Sequence, residues 1–349
     1  MLHTVAARDA DSLAKFAAQW GWAQHSTRWQ TLVEDPDVGL LDIGTPNDVH
    51  EAPAVDALAA GKHVACEKPL AHTLDAARSM RDAAKRAARK GVHSFVWFNY
   101  RRCPAVGLAY QLLREGKLGT VHEVRARYLQ AWGGADTPRV WRFQKSRAGS
   151  GAHGDLNAHM IDMARFLLGD EIAEVHGAVA RTVHPQRPDP SNPRKTLRSD
   201  VDDICSFLAS FAGGATASFE ASRVATGELN DNGLAVYGSD GALRFDFEDM
   251  NVLWFHEGAS GGRTSGWKRI LATSPDHHPW VDAWWPDAHV LGYEHGFANM
   301  AADILRVLSG RDPIVPLPDF ADAWETQRVL EAALRAAKDR KAVRLSAVR

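Results

Sequence analysis

Short apolar runs alternate with amphipathic helical stretches through residues 2–98, and this alternation constrains the fold more than any other feature of the sequence. The runs that read as strands are Leu2–Ala7, Val38–Ile43, Val64–Cys66 and Val92–Phe98. The stretches between them carry apolar residues at helical spacing, as in Thr73–Lys90. Strands that alternate with helices form right-handed β-α-β units around a parallel sheet. The sequence therefore predicts an α/β domain over residues 1–102.

The pattern changes after Arg102 to strands with period-two alternation and glycine-rich turns. The predicted strands are Thr120–Trp132, Ile172–Val183, Val201–Phe211, Ala215–Ser222, Leu234–Tyr237, Ala242–Phe247 and Val252–Phe255. We expect an α+β domain over 103–349 with an open, mostly antiparallel sheet backed by helices on one face. The last helix is expected to pack back on the first domain. The proline-rich segment His184–Ser199 is predicted to be a mobile loop.

Composition excludes several classes of protein. The 349 residues include 41 Lys and Arg against 43 Asp and Glu, without a basic block, which argues against a nucleic-acid partner. The N-terminus lacks the apolar region of a signal peptide, and no stretch is long enough to span a membrane. The cysteines, Cys66, Cys103 and Cys205, are odd in number and far apart, which is typical of a reducing compartment. We therefore expect a cytoplasmic protein.

Several short motifs occur in an order and spacing that together are specific. They are Thr45-Pro46-Asn47 with His50, Gly61–Val64 leading into Glu67–Ala71, Phe98–Arg102, Gly149–His159, Gly292–His295 and Pro318–Asp322. In these residues the chain resembles the Gfo/Idh/MocA family of oxidoreductases, named after glucose–fructose oxidoreductase, inositol dehydrogenase and a rhizopine catabolism protein. The resemblance covers nearly the whole chain. Residues 128–155 are most similar to the sugar- and anhydrosugar-oxidising branch.

This resemblance implies a Rossmann-type nucleotide domain that uses NAD or NADP, with a slight preference for NAD. It implies oxidation of a secondary hydroxyl of a cyclic polyol, sugar or anhydrosugar by hydride transfer. Two alternatives stay open: an NAD-dependent glycosidase that oxidises C3 transiently, and a non-catalytic ligand-sensing relative. No metal is expected, because no His pair has zincin spacing or a Cys partner.

The resemblance groups Lys68, Asp155 and His159 as the catalytic residues. Lys68 follows a strand at the carboxyl edge of the predicted sheet, and its ammonium could stabilise developing alkoxide charge. Asp155 and His159 are four residues apart, on one face of a predicted helix. The His side chain can accept and return a proton near neutral pH. Asp162 lies on the same face and is interpreted as structural.

Binding residues are assigned by the same resemblance, supported by their chemistry. Arg8 and Asp9 end the first predicted strand, where an acid binds the ribose diol or an Arg accommodates a 2′-phosphate, so both cofactors stay open. The cofactor candidates are Arg8, Asp9, Thr45, Pro46, Asn47, His50, Glu67, Lys68 and Asn99. The substrate candidates are Tyr100, Gln130, Trp132, Trp141, Arg142, Asp155 and His159. Aromatic faces pack on sugar C–H groups, while Gln and Arg bind hydroxyls.

One departure from the family concerns the beginning of the domain. The strand, glycine-rich turn and helix that bind pyrophosphate have no counterpart, because no glycine precedes Gly21. We therefore expect an N-terminally truncated nucleotide domain in which Leu2–Ala7 is the second strand and two strand edges are unpaired. Such a chain is expected to bind dinucleotide weakly or not at all. A misplaced start codon is the favoured explanation, and a real truncation or a rearranged fold are the alternatives.

An oligomer is expected from the second domain. An antiparallel sheet with helices on one face leaves its other face open to a partner. We expect a homodimer or homotetramer through this sheet, with Phe207, Phe211 and Phe219 supplying apolar area.

Overall fold

The computed structural model describes residues 2–258, 262–278 and 280–349. They form two compact units. The first holds the residues up to Trp97 together with Pro318–Trp324, and the second holds Phe98–Leu317 and Glu325–Arg349. The second unit begins at Phe98, before the boundary expected after residue 102, so it includes Asn99 and Tyr100. Each unit is described by itself.

The first unit is a parallel α/β fold. Its strands are β1 (Thr4–Ala6), β2 (Gln24–Ser26), β3 (Leu40–Ile43), β4 (His63–Cys66) and β5 (Ser94–Val96). Its helices are α1 (Ala10–Trp20), α2 (Gln30–Glu34), α3 (Glu51–Ala59) and α4 (Leu74–Ala88). Every strand pair in this unit is parallel, which confirms the expected fold class.

The parallel strands form two separate ladders. Strand β1 pairs with β2, while β3, β4 and β5 form a three-stranded sheet. Within residues 2–97, β1 and β3 each have one hydrogen-bonded neighbour. The two ladders are therefore not joined by a described strand.

Local chemistry explains where the helices of this unit begin and end. The Asp9 carboxylate accepts a hydrogen bond from the Ser12 backbone N–H at 2.8 Å and caps α1. Gly21 ends that helix in a left-handed conformation, with φ of 71°, which glycine adopts without strain. The Thr73 hydroxyl caps α4 by accepting from the Ala76 N–H at 3.2 Å.

The second unit is built on a nine-stranded sheet. Strands β8 (Gln186–Asp189) and β9 (Asn192–Arg198) form a separate hairpin. The nine strands of the large sheet are β6 (Val121–Leu129), β7 (Ile172–Arg181), β10 (Ile204–Phe211), β11 (Thr216–Ser222), β12 (Asp231–Gly238), β13 (Gly241–Asp246), β14 (Val252–Glu257), β15 (Lys268–Leu271) and β16 (Val343–Arg344). The sheet order is β15-β14-β13-β12-β6-β11-β10-β7-β16. The β6–β11 pair is parallel and the other pairs are antiparallel, so the expected, mostly antiparallel sheet is confirmed.

Five helices follow the first unit's four along the chain. They are α5 (Pro104–Arg114), α6 (Lys145–Ala148), α7 (Ala158–Leu168), α8 (Tyr293–Leu308) and α9 (Phe320–Asp339), which begins in the first unit and continues into the second. Over the described ranges, no helix combines the length and the apolar character needed to cross a membrane.

The two faces of the large sheet differ in burial. Phe207 and Phe219 are buried and stack with ring centroids 4.7 Å apart, and the His153 ring meets Phe207 edge-on at 5.7 Å. Phe211 is buried as well. The expectation that these three phenylalanines supply an exposed apolar area is therefore wrong, because they belong to the core face. Leu208, which points the other way, is 58% exposed.

The segment predicted as a mobile loop is a β-hairpin instead. Strands β8 and β9 pair from Gln186↔Arg198 to Asp189↔Asn192. The Asp189 carboxylate closes the turn by accepting from the Ser191 N–H at 2.8 Å. Both strands of a two-stranded hairpin are edge strands. Proline is tolerated in an edge strand because its missing N–H can face solvent, so the prolines of this segment are compatible with strand structure.

A buried histidine makes the second unit sensitive to acid. His278 is fully buried, and its Nε2 lies 3.4 Å from the Arg102 carbonyl oxygen. Burial lowers the pKa of His278 to about 4, whereas an unfolded His titrates near pH 6.5. Between these values the unfolded state binds the proton and the folded state does not. Stability from this group is therefore present above about pH 6.5 and is lost as the pH falls toward 4.

We expect His278→Gln to reduce this acid sensitivity. The wild-type chain should lose about 3 kcal/mol of unfolding free energy through His278 between pH 6.5 and 4. Urea unfolding at pH 7.5 and 4.5 measures the difference for both proteins. Burial also lowers the pKa of His50 and His153, but their contribution is the same in the variant. An equal pH dependence in the two proteins would contradict this prediction.

Candidate active site

Two segments leave the first unit's sheet side by side at its carboxyl edge. Ile43 pairs with Cys66, so the residues after β3 and those after β4 begin at the same level. The first segment carries Thr45, Pro46 and Asn47, and the second carries Glu67 and Lys68. The carboxyl edge of a parallel sheet is where ligands bind in open α/β folds. The fold thus brings five of the candidate residues to one ligand-binding edge.

His50 braces these two segments. The ring is fully buried, with Nε2 2.9 Å from the Thr45 carbonyl oxygen and Nδ1 3.2 Å from that of Leu70. Burial lowers the pKa of His50. The ring lies between the loop after β3 and the segment that follows Lys68, and its one N–H can donate to a carbonyl of either segment. His50 therefore supports the backbone of the edge, a role that the sequence did not distinguish from cofactor contact.

Arg8 and Asp9 follow β1 and are exposed. Hydrogen bonds from Ser12 hold the pKa of the Asp9 carboxyl below its usual range. Asp9 is therefore an ionised cap at the end of β1, and Arg8 beside it is an open cation. A ribose diol and a 2′-phosphate both find a matching group there.

In the second unit, two buried ion pairs fix a short helical turn, Asn99–Arg102. Arg101 pairs with Asp162, and Arg102 pairs with Asp303 at 3.2 Å. Asp162 thus acts on the turn through Arg101. Removing one partner of such a pair leaves a buried charge without compensation, which is strongly destabilising. The turn carries Asn99 and Tyr100, both of which are buried.

Asp155 lies in a π-helical turn, His153–Asn157, that continues into α7. The Asp202 carboxylate holds the start of this turn by accepting from the backbone N–H groups of Gly151 and His153, each at 2.7 Å. The Asp155 carboxylate accepts from Arg223 at 3.0 Å, and Arg142 Nε lies 4.0 Å from the same oxygen. Asp155 and His159 therefore span the junction of two helix types, not the single α-helix that the spacing predicted.

Aromatic rings surround His159. Its ring centroid lies 4.5 Å from that of Tyr100, 6.0 Å from Tyr128 and 6.1 Å from Phe98. Burial raises the pKa of both tyrosines well above the usual value, so both hydroxyls stay neutral and can donate hydrogen bonds. A titratable imidazole thus lies among rings that present neutral hydroxyl groups.

A line of hydrogen bonds runs away from these rings. The hydroxyls of Tyr100 and Tyr128 are 2.8 Å apart, and Tyr128 donates to the Asn230 side-chain oxygen at 2.9 Å. Gln130 Nε2 donates to the same oxygen at 2.7 Å, and Trp132 Nε1 donates to Gln130 Oε1 at 2.7 Å. We call these five residues the polar line. It joins three of the substrate candidates to two residues that sequence reasoning missed.

Trp141 and Arg142 lie in a short helical turn, Trp141–Phe143. The Arg142 guanidinium lies over the Trp141 ring, 4.5 Å from its centroid. Arg142 and Trp132 are exposed at the surface, and Trp132 is 40% exposed. An exposed indole and an exposed guanidinium are groups that suit a polyhydroxylated ring.

Sequence comparison agrees with this geometry. A family profile described as the oxidoreductase family, NAD-binding Rossmann fold, matches residues 2–95, and one described as the GFO/IDH/MocA C-terminal domain matches residues 107–244. Levoglucosan dehydrogenase of Pseudarthrobacter phenanthrenivorans is 35% identical over 346 residues, which are 95% of this chain and 86% of that protein. The chain belongs to the Gfo/Idh/MocA family.

Solved structures of the family have the same fold. An oxidoreductase domain protein from Kribbella flavida is 45% identical, with a TM-score of 0.93 over 99% of this chain and 90% of that one. Levoglucosan dehydrogenase in complex with NADH and levoglucosan is 35% identical, with a TM-score of 0.91 over 99% of this chain and 90% of that one. The predicted family, the two fold classes, the enzyme class and the nicotinamide type of cofactor are confirmed.

The residues present fit part of a dinucleotide. The carboxyl edge of β3 and β4 offers polar groups and the Lys68 ammonium, which suit the ribose and nicotinamide portions. The pyrophosphate portion needs a glycine turn at a helix N-terminus. In residues 2–20 the helix start at Asp9 has no glycine, and its Ser12 N–H already bonds the Asp9 carboxylate. The described residues from 2 to 20 therefore hold no glycine turn of the kind that binds a pyrophosphate.

We expect Tyr128→Phe to destabilise the second unit. It removes the hydroxyl that links Tyr100 to Asn230, and unmatched buried polar groups cost about 1–3 kcal/mol. Urea unfolding measures the loss. Tyr110→Phe is the matched control, because Tyr110 stacks on Phe166 at 4.6 Å and lies outside the polar line. Equal losses in the two variants would show that the polar line adds nothing to stability.

Proposed function

We propose that this protein is an NAD(P)-dependent dehydrogenase that oxidises a secondary hydroxyl of a sugar or anhydrosugar, with a preference for NAD. The observation that carries the proposal is the polar line ending beside His159, with Asp155 in the π-helical turn that leads into the helix of His159. Neutral donors next to aromatic faces suit a polyhydroxylated ring. The similarity to levoglucosan dehydrogenase supports the same substrate class.

In the proposed reaction His159 accepts the proton of the substrate hydroxyl, and the Lys68 ammonium stabilises the alkoxide charge that develops. Bound NAD(P) supplies the hydride acceptor. Asp155, held by Arg223, accepts a hydrogen bond from a substrate hydroxyl. The buried tyrosines keep water from the hydroxyl under attack, and the Tyr100 hydroxyl oxygen, whose own proton points to Tyr128, accepts a hydrogen bond from the sugar.

Cofactor contacts are proposed for the residues at the carboxyl edge of the first unit's sheet and for Asn99. They are Arg8, Asp9, Thr45, Pro46, Asn47, Glu67, Lys68 and Asn99, with His50 bracing the edge. The substrate is proposed to contact Tyr100, Gln130, Trp132, Trp141, Arg142, Asp155 and His159. A cytoplasmic location is proposed because Cys66, Cys103 and Cys205 are free thiols, as in reducing compartments.

We expect Lys68→Ala to lower kcat by about 100-fold or more, because the lost ammonium stabilises charge that exists only during the reaction. NADH formation with levoglucosan, and with related sugars, is the measurement. Lys85→Ala is the control, since Lys85 lies in the last turn of α4, away from the carboxyl edge. A Lys68→Ala protein with wild-type kcat would remove Lys68 from the mechanism. Sugar release without net NADH would point to the glycosidase reaction instead.

We also propose that the open face of the large sheet joins two copies of the chain. One row of aligned residues crosses it from Trp254 through Arg244 and Arg125 to Leu208. Val179, on the same face, is 65% exposed, and the groove above the face has a volume of about 1170 Å³. Arginine, aromatic and aliphatic groups in one patch are typical of subunit interfaces.

We expect Leu208→Glu to dissociate this assembly, because the substitution replaces an exposed apolar side chain of the contact with a charge that would have to be buried. Sedimentation velocity at micromolar concentration measures the mass. Leu305→Glu is the control, because Leu305 is 62% exposed but belongs to α8. A monomeric wild-type chain, or a Leu208→Glu protein of unchanged mass, would contradict the proposed interface.

A further inference from the structure

Two buried arginines of the second unit flank one phenylalanine ring. The Arg187 guanidinium lies 3.7 Å from the centroid of Phe143, and that of Arg223 lies 5.6 Å from it. Both side chains are almost fully buried. Each has a carboxylate partner, Asp203 at 2.7 Å for Arg187 and Asp155 at 3.0 Å for Arg223. The two arginines are alike in burial and stacking, and differ in the carboxylate that they hold.

Arg223 touches three parts of the candidate substrate region. One terminal nitrogen donates to Asp155, and the other donates to the Arg142 carbonyl oxygen at 3.1 Å. Its guanidinium lies 5.1 Å from the centroid of the Trp132 ring. Its backbone N–H bonds the Asp203 carbonyl oxygen at 2.9 Å, and its own carbonyl accepts from Gly133 at 2.8 Å. The main chain of Arg223 is thus anchored independently of its side chain.

The forked shape of arginine is needed for these contacts. The guanidinium presents two terminal nitrogens in fixed directions, so one side chain can bond a carboxylate and a carbonyl at once. Arg223 Nε has no hydrogen-bond partner among residues 2–258, 262–278 and 280–349. The described hydrogen bonds of the Arg223 side chain therefore come from its terminal nitrogens, and they converge on Asp155 and the turn that carries Arg142.

We propose that Arg223 is a positioning residue that fixes the Asp155 carboxylate for substrate binding and holds the Trp141–Phe143 turn against it. This inference rests on the proposed function of Asp155. Asp155 is 22% exposed, whereas Arg223 is 1% exposed, so the arginine is a buried and fixed partner for a carboxylate that reaches the surface. Arg142 lies 4.0 Å from the same oxygen and is 44% exposed, so its ion pair is weaker than that of Arg223. A rigid support of this kind is what a substrate-binding carboxylate requires.

A double-mutant cycle tests the proposal. We expect Arg223→Met to lower kcat/KM for levoglucosan by about 10- to 100-fold, as befits the loss of a hydrogen bond between charged groups. In an Asp155→Asn background the same substitution should cause a clearly smaller loss of kcat/KM, because the charge-assisted bond to Asp155 is already gone and mainly the contact with the Arg142 carbonyl remains to be lost. Arg223→Lys, which keeps the charge, should recover only part of the activity. An equal loss in both backgrounds would overturn the proposal.

Arg187→Met is the matched control. It removes an equally buried arginine from the same ring, but one that bonds Asp203 and the carbonyls of Gly133 and Gly134. Its effect should be the same with Asp155 and with Asn at that position. Coupling of Arg187 to Asp155 as large as that of Arg223 would mean that both arginines act only on folding, and would overturn the proposal.

The same double-mutant cycle is also measured as the free energy of unfolding, because this measurement does not depend on enzyme activity. Arg223→Met or Arg223→Lys should couple to Asp155→Asn in urea unfolding, and Arg187→Met should not. Additive unfolding effects for Arg223 and Asp155 would overturn the inference whatever the activity. A wild-type protein that oxidises no sugar, yet shows the unfolding coupling, would instead overturn the proposed function.

Discussion

Two consecutive buried aspartates at the start of β10 hold the second unit's site together. The Asp202 carboxylate accepts from the N–H groups of Gly151 and His153, which fixes the turn that carries Asp155. Asp203 faces the other way and binds Arg187 and the N–H groups of Val183 and His184. A buried carboxylate is tolerated only when hydrogen bonds replace its water. The turn and the β8–β9 hairpin are therefore both tied to one strand end.

Glycine is required where the turn meets this strand. A Cβ on Gly151 would lie 1.7 Å from the Asp202 carbonyl oxygen, closer than any real contact. The same carbonyl accepts from the Ala152 N–H at 3.0 Å. Close backbone approach thus allows both the carbonyl and the carboxylate of Asp202 to bind consecutive N–H groups. The position of Asp155 follows from this approach and not from the helix that comes after it.

Contacts that are local in sequence could be predicted, and distant ones could not. The parallel strands and the carboxyl edge that carries Lys68 follow from apolar periodicity and turn residues, which act within a few positions. Arg223 meets Asp155 across 68 residues, and Asn230 meets Tyr128 across 102. An arginine directly after a strand of small and apolar residues was a signal for the first contact. No comparable signal marks Asn230, which lies in a loop.

Face assignment shows the same limit. Alternation correctly identified β10, but it could not say which of its faces the helices cover. Phe207 lies on the covered face, against Phe219 and His153, while Leu208 lies on the open one. The assignment depends on where the turn before α7 packs, which is a tertiary fact. The proposed subunit interface therefore lies on the predicted sheet, but the predicted phenylalanines are not part of it.

The charges around His159 separate the tasks that the proposed reaction requires. Tyr100 and Tyr128 are neutral because burial raises the pKa of each hydroxyl, so they can orient a sugar without exchanging protons with it. Asp155 bonds the Arg223 guanidinium, and a carboxylate in such a pair accepts further hydrogen bonds from hydroxyls. The group left to take up the hydroxyl proton among these side chains is the imidazole of His159.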